Sequence, residues 1–160
     1  MVTIREAEKK DIPALRELWN AIVDAGDAFP QMEMLSVEEA GQFFAGQSFT
    51  GVAERNGEPV GLYILHPNNV GRCGHLANGS YAVREDMRGC GVGEALVRHS
   101  LTKARELGFR VLQFNAVTES NRTAIRLYEK LGFIRLGSVP GGFLKADGSY
   151  EDIVLFYHLL

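Results

Sequence analysis

Hydrophobic and polar residues alternate along this chain in two distinct rhythms, and each rhythm predicts an element. Leu15, Leu18, Trp19 and Ile22 recur at i, i+3, i+4 and i+7, the spacing of a helix that packs one face on a core. Asp11 stands where a helix cap belongs, and Pro13 falls in the first turn, where a missing N–H is tolerated. Thr3 to Glu6, just before, reads as a short strand. From Asp24 to Met34 the period is lost and Gly26 and Pro30 intervene, so the stretch reads as a loop, a kind of segment that often carries binding residues. Ser36, with Glu39 three residues on, has capping-box spacing and predicts a second helix through Phe43 and Phe44.

Phe49 to Arg55 and Pro59 to His66 flank Asn56-Gly57, a dipeptide that accepts the positive φ angles of a tight hairpin, and so predict two antiparallel strands. Leu76 to Val83 predicts another strand, Val111 to Asn115 a short buried one, and Phe133 to Val139 with Ile153 to Leu159 a terminal pair. Two further helices are expected. One runs from about Gly91 to Leu107 with Val97, Leu101 and Ala104 inward; the other runs from Arg122 to Leu131 with Ala124, Leu127, Tyr128 and Leu131 inward. Gly108 and Gly132 fall where C-terminal caps belong. The order is that of a mixed α/β protein. With no repeat, low-complexity tract or linker, residues 1–160 are expected to form a single domain.

Composition narrows the class. The chain has 160 residues, of which 46% are hydrophobic and 23% charged, an ordinary globular balance. No apolar run reaches the ~20 residues of a membrane span, and Met1 to Glu6 lacks the layout of a signal peptide, so the expectation is a cytoplasmic protein with no membrane partner. Cys73 and Cys90 form no CxxC pair and adjoin no His cluster, so neither a metal site nor a disulfide is expected. A net charge of −3 argues against nucleic acid as a partner. Residues 84 to 130 nevertheless carry nine basic and six acidic side chains, leaving −6 for the remainder. That basic middle third is either a confined site for an anionic small molecule or a set of solvated helix faces.

The most informative stretch is Arg88-Gly89-Cys90-Gly91-Val92-Gly93, between a strand and an amphipathic helix. Amides freed at a helix N-terminus, with glycines that let a phosphate approach the backbone, make an anion site. The P-loop is excluded because no Lys-Ser or Lys-Thr follows, and the spacing GxGxG is not the GxGxxG of a dinucleotide fingerprint. Arg88, Gly91 and Gly93 match [Gln/Arg]-x-x-Gly-x-[Gly/Ala], and the chain in this respect resembles the GCN5-related N-acetyltransferases. The strand from Val111 to Asn115, Asn121, Tyr128 and the Leu131-Gly132-Phe133 corner extend the resemblance.

That resemblance implies a mostly antiparallel central sheet flanked by helices, with strands splayed at an acetyl-CoA cleft. It also implies acetyl-CoA as co-substrate, held by Gly89, Cys90, Gly91, Val92 and Gly93 with Arg88 and Asn121, and a backbone N–H near Val83 for the developing oxyanion. Tyr128 would be the general acid: a phenol of ordinary pKa about 10 stays protonated and can donate to a thiolate whose ordinary value is near 8.5. Asn121 also reads as a helix cap, and Tyr128 as a core residue on its helix stripe. A homodimer is a family habit.

The acceptor side rests on Asn78 and Asn115. Asn on two neighbouring strands points to a polar pocket floor, or to side chains satisfying a bulged backbone. With Gly137 to Phe143, the pair resembles the fungal branch that acetylates proline analogues such as azetidine-2-carboxylate, which implies a small amino-acid acceptor. Phe29, Tyr63 and Phe143 are candidate pocket walls. The central strands lack the Glu that many family members use as general base, leaving water, His75 or an already neutral amine. The alternatives are a protein N-terminus, polyamine or drug amine as acceptor, or a non-catalytic acyl-CoA sensor.

Overall fold

Asn56 and Gly57 adopt φ of 53° and 79°, the left-handed values of a two-residue hairpin, and so join the two strands on which the rest of the sheet is built. The computed structural model describes residues 1–160. In chain order the elements are β1 (Thr3–Glu6), α1 (Ile12–Ala25), α2 (Val37–Ala45), β2 (Phe49–Arg55), β3 (Glu58–Pro67), β4 (Leu76–Val83), α3 (Val92–Glu106), β5 (Val111–Thr118), α4 (Arg122–Lys130), β6 (Ile134–Leu144) and β7 (Tyr150–Leu159). One seven-stranded sheet has the order β1-β2-β3-β4-β5-β7-β6. Its only parallel pair is β4 with β5.

That pair decides the architecture. It is in register only from Leu76↔Val111 to Asn78↔Gln113, and beyond Asn78 the two strands part. Arg84 N–H donates to Val60 and Asn68 N–H to Leu76, so the even-numbered residues of β4 spend their backbone groups on β3. Gly79, Tyr81 and Val83 therefore turn theirs toward the gap, where no strand meets them.

The sheet carries helices on both faces. Leu62, Ile64 and Ala82 pack under α1 and α2 with Leu15, Trp19 and Phe44. Tyr63, Leu65, Ala77, Leu112 and Phe114 pack under α3 and α4 with Leu96, Val97 and Ile125. Ser36 and Glu39 form the expected reciprocal cap of α2, and Gly108 and Gly132 follow their helices at φ of 91° and 90°.

Three local expectations are corrected. Asp11 does not cap α1 with its side chain. Its carboxylate accepts from both Arg5 guanidinium nitrogens, at 2.7 and 2.9 Å, and from Glu8 N–H at 2.7 Å, and the same Arg5 holds Glu54 of β2 at 2.6 Å. In α4 the buried side chain is Ile125, while Ala124, Leu127, Tyr128 and Leu131 are half-buried around it. The last two strands and β5 run longer than their hydrophobic patterns, because β6 is an exposed edge and bulges interrupt β5 and β6.

The Arg5 guanidinium holds the buried Asp11 carboxyl below the usual carboxylate range. Stability from this pair is thus present above the ordinary carboxylate value and lost as pH falls through the lowered one. Asp11→Asn is expected to cost about 2 kcal/mol near neutral pH. In denaturant titrations, its deficit against the parent should narrow below about pH 4. A deficit independent of pH would remove the ion pair as its cause.

Candidate active site

The N-terminus of α3 is built for an anion. Gly89 and Gly91 sit at φ of 74° and 82°, and Gly91 is the helix N-cap in the left-handed region, with no protein atom within 4 Å of where a Cβ would stand. No backbone N–H from Gly89 to Glu94 donates to a carbonyl or side chain within the protein. The Val92 side chain is buried in the core, while its N–H belongs to the loop. Arg88 is exposed and enters no ion pair, whereas Arg84, Arg98, Lys103, Arg122 and Lys130 of the same basic segment are all paired with carboxylates. Glu94 in the first turn is held by Arg98 and Lys130, which keep it ionised and its charge compensated. Five of the nine basic side chains are therefore spent on surface pairs, and of the four left unpaired Arg88 is the one that adjoins the glycine loop. The Cys90 thiol leans back on the Arg88 carbonyl at 3.7 Å.

The strand gap opens into a cavity of about 270 Å³. Asn78, Gly79, Ser80 and Tyr81 line it from β4, Phe114 to Thr118 from β5, Asn121 and Tyr128 from the α4 end, Ala28 to Gln31 from the loop, and His66 from the end of β3. The loop is pinned at both sides: Phe29 packs on Trp19 with ring centroids 4.4 Å apart, and Thr118 donates to the Asp27 carbonyl at 3.1 Å.

Side chains reach this cavity from both sheet faces. Asn78 and Asn115 are brought together by a residue that the sequence reading missed, Asn68, whose Oδ1 accepts from both Nδ2 atoms at 3.1 and 2.5 Å. Gln113 Nε2 donates to Asn115 Oδ1 at 3.1 Å and extends the amide row. On the opposite face Tyr128 stacks among Phe114, Phe133 and Phe156, at 4.5, 5.4 and 5.7 Å. Its hydroxyl has no protein partner, and burial pushes the phenol well above its ordinary value. Tyr81 is likewise pushed up by burial, but its hydroxyl is spent on Ser100 at 2.7 Å. Asn121 caps α4 as one of its two readings expected, with Oδ1 accepting from Ala124 N–H at 3.2 Å, and the residue also lines the cavity.

The chain as a whole is similar to known proteins. The description "Acetyltransferase (GNAT) family" fits residues 12–133. The chain belongs to that family. GNAT membership makes it an N-acetyltransferase that uses acetyl-CoA, and the glycine loop with its unspent amides fits a diphosphate. A GCN5-related N-acetyltransferase from Kribbella flavida superposes with a TM-score of 0.91 at 34% identity, covering 99% of this chain and 98% of that one. N-acetyltransferase aca1 of Schizosaccharomyces pombe is 37% identical over 62% of this chain and 48% of its own length, so the match spans about half of that relative. Peptidyl-lysine N-acetyltransferase YjaB of Escherichia coli is 29% identical over 83% of this chain and 82% of its own.

Two candidate walls of the GNAT cavity are corrected. Tyr63 is fully buried on the α3 face, since strand alternation turns odd residues of β3 away from the amide row. Its ring lies over Gly51, where any Cβ would collide with it, and its hydroxyl meets His99 Nδ1 at 2.8 Å. Phe143 lines a separate cavity of about 480 Å³ between the β6–β7 hairpin and Met32 and Met34, touching the first only through the shared Phe29, Pro30 and Gln31. His75 is exposed and lies outside the cavity, which instead holds His66. No helix is long and apolar enough to cross a membrane.

Proposed function

We propose that this protein acetylates the amine of a small, amino-acid-like molecule by direct attack in a ternary complex with acetyl-CoA. The observation that carries the reading is the division of the cavity by the strand gap. The amide row of Asn68, Asn78 and Asn115 lies on one face, the Tyr128 hydroxyl on the other, and unpaired β4 backbone groups between them.

Gly89 to Gly93, with Arg88, would hold the diphosphate of the donor, and the Nδ2 of Asn121 would meet its pantetheine arm. Acetyl-CoA supplies the thioester. The N–H groups of Tyr81 and Val83, turned into the gap, can donate where charge develops on the acyl oxygen. Tyr128, protonated throughout the neutral range, can return a proton to the departing sulfur. Cys73 and Cys90 are exposed and outside the cavity, which supports direct transfer over a covalent acyl-enzyme.

The acceptor follows from the lining. No Asp, Glu, Lys or Arg faces the cavity, so a polycation would find no counter-charge there. Primary amides accept from an ammonium and donate to a carboxylate, so the row suits a small zwitterion. The likeness to a peptidyl-lysine acetyltransferase favours a second reading, a lysine side chain reaching in. A cytoplasmic setting suits both, given two exposed free thiols.

Thiol release should be followed with imino acids, other amino acids, spermidine and lysine peptides. Amino-acid-like amines are expected to give the highest kcat/KM and spermidine the lowest. Release with peptides alone would install the second reading, and binding of acetyl-CoA without release for any amine would make the protein a sensor.

A further inference from the structure

We infer that His66 is the general base that deprotonates the acceptor amine, an assignment that deepens the acetyl-transfer reading and rests on it. The chain has four histidines. His99 is engaged by the Tyr63 hydroxyl, His158 Nε2 by the Leu131 carbonyl, and His75 is exposed outside the cavity. His66 alone lines it.

The position follows from the sheet. Leu62, Ile64 and His66 alternate onto the α1 face of β3, and the first two are buried there. His66 pairs with Asn78 across β3 and β4, so it continues that face past the hydrophobic core and stands beside the amide row. Its Nδ1 lies 3.0 Å from the carbonyl oxygen of Pro67. A carbonyl can only accept, so Nδ1 carries the hydrogen and Nε2 presents a lone pair, with no protein partner. The backbone thereby selects the tautomer a base requires.

Nothing else in the cavity does this work. The lining elements contribute Gln31 from the loop, Asn78 and Tyr81 from β4, Asn115 from β5 and Tyr128 from α4. Of these only the phenols titrate, and burial pushes both upward, which makes them proton donors at neutral pH. His66 and Tyr128 also come from opposite faces of the sheet, so removal and delivery of protons are separated by the gap through which the acyl group must pass.

The step balances. An ammonium acceptor yields one proton to His66 Nε2, which passes it to solvent. The neutral nitrogen bonds to the acyl carbon, the C–S bond breaks, and its electron pair leaves on sulfur, which takes the Tyr128 proton. The second amine proton restores Tyr128. One proton is released per turnover.

His66→Gln keeps an N–H for the Pro67 carbonyl but has no basic nitrogen. Its kcat/KM is expected to fall about 10²-fold. The ascending acid limb of its pH profile should move up to follow deprotonation of the acceptor's own ammonium, and the defect should shrink across acceptors of decreasing amine basicity. Acetyl-CoA affinity by calorimetry should stay at the parent value. His66→Ala should recover rate with added imidazole, which covers a poorly folded glutamine variant. A His66→Gln rate within a few-fold of the parent with the limb unmoved overturns the assignment, as does a defect of equal size for every acceptor. A parent protein that releases no CoA with any amine overturns the acetyl-transfer reading itself, and that failure shows before any substitution is made.

Discussion

Tyr128→Phe is expected to lower kcat about 10²- to 10³-fold, the scale of a lost general acid. Acetyl-CoA affinity should be unchanged. The ring packs on Phe114, Phe133 and Phe156 through its carbons, so removing one oxygen leaves that packing in place and the melting temperature near the parent value. The hydroxyl is free of protein partners, so no buried group is orphaned by its loss. A kcat within a few-fold of the parent would leave sulfur to be protonated by solvent, and Tyr128 would then be a wall of the cavity and no more.

Gly91→Val should act on the other half of the site. At φ of 82° a β-branched residue is strained, and relief of that strain swings the loop amides away from their common focus. The weakening of coenzyme A binding is expected to be on the order of 10²-fold, equivalent to losing about two charge-assisted hydrogen bonds. Because a Cβ at Gly91 meets no protein atom within 4 Å, the core is untouched, and the thermal cost is confined to local strain. Gly93 supplies the comparison: its φ is not positive, and a Cβ would rest 3.9 Å from Leu127 and Val83, so Gly93→Ala should weaken binding less than Gly91→Val. Calorimetric titration of both variants reads this order, and equal losses would remove the positive φ of Gly91 as the cause.

The locally encoded parts of the fold were legible. Asn56-Gly57 set its hairpin, Ser36 and Glu39 their cap, and the glycines after α3 and α4 their left-handed exits, because each signal acts within a few residues. The glycine loop was legible for the same reason, since the φ angles and free amides at 89 to 93 follow from its own composition. Asn78 and Asn115 were found from polarity alone. Asn68, which ties them together, was not legible, since no local pattern says that its side chain folds back between two strands. Asp11 was misassigned for a similar reason: a cap is a local choice, but Arg5 of β1, which also binds Glu54 of β2, draws the carboxylate away.

By itself, then, the sequence determined the elements, their order and the glycine loop, and its family resemblance pointed to the phenol of Tyr128. Which residues share a face was decided only by tertiary structure. Register and alternation send Tyr63 inward against Gly51 and His66 outward beside Asn78, three residues apart on one strand. The parting of β4 from β5 after Asn78 then joins the two faces at a single cavity. Pairing between strands distant in sequence is a property of the assembled sheet, and a shift of one residue would exchange every side chain between its faces.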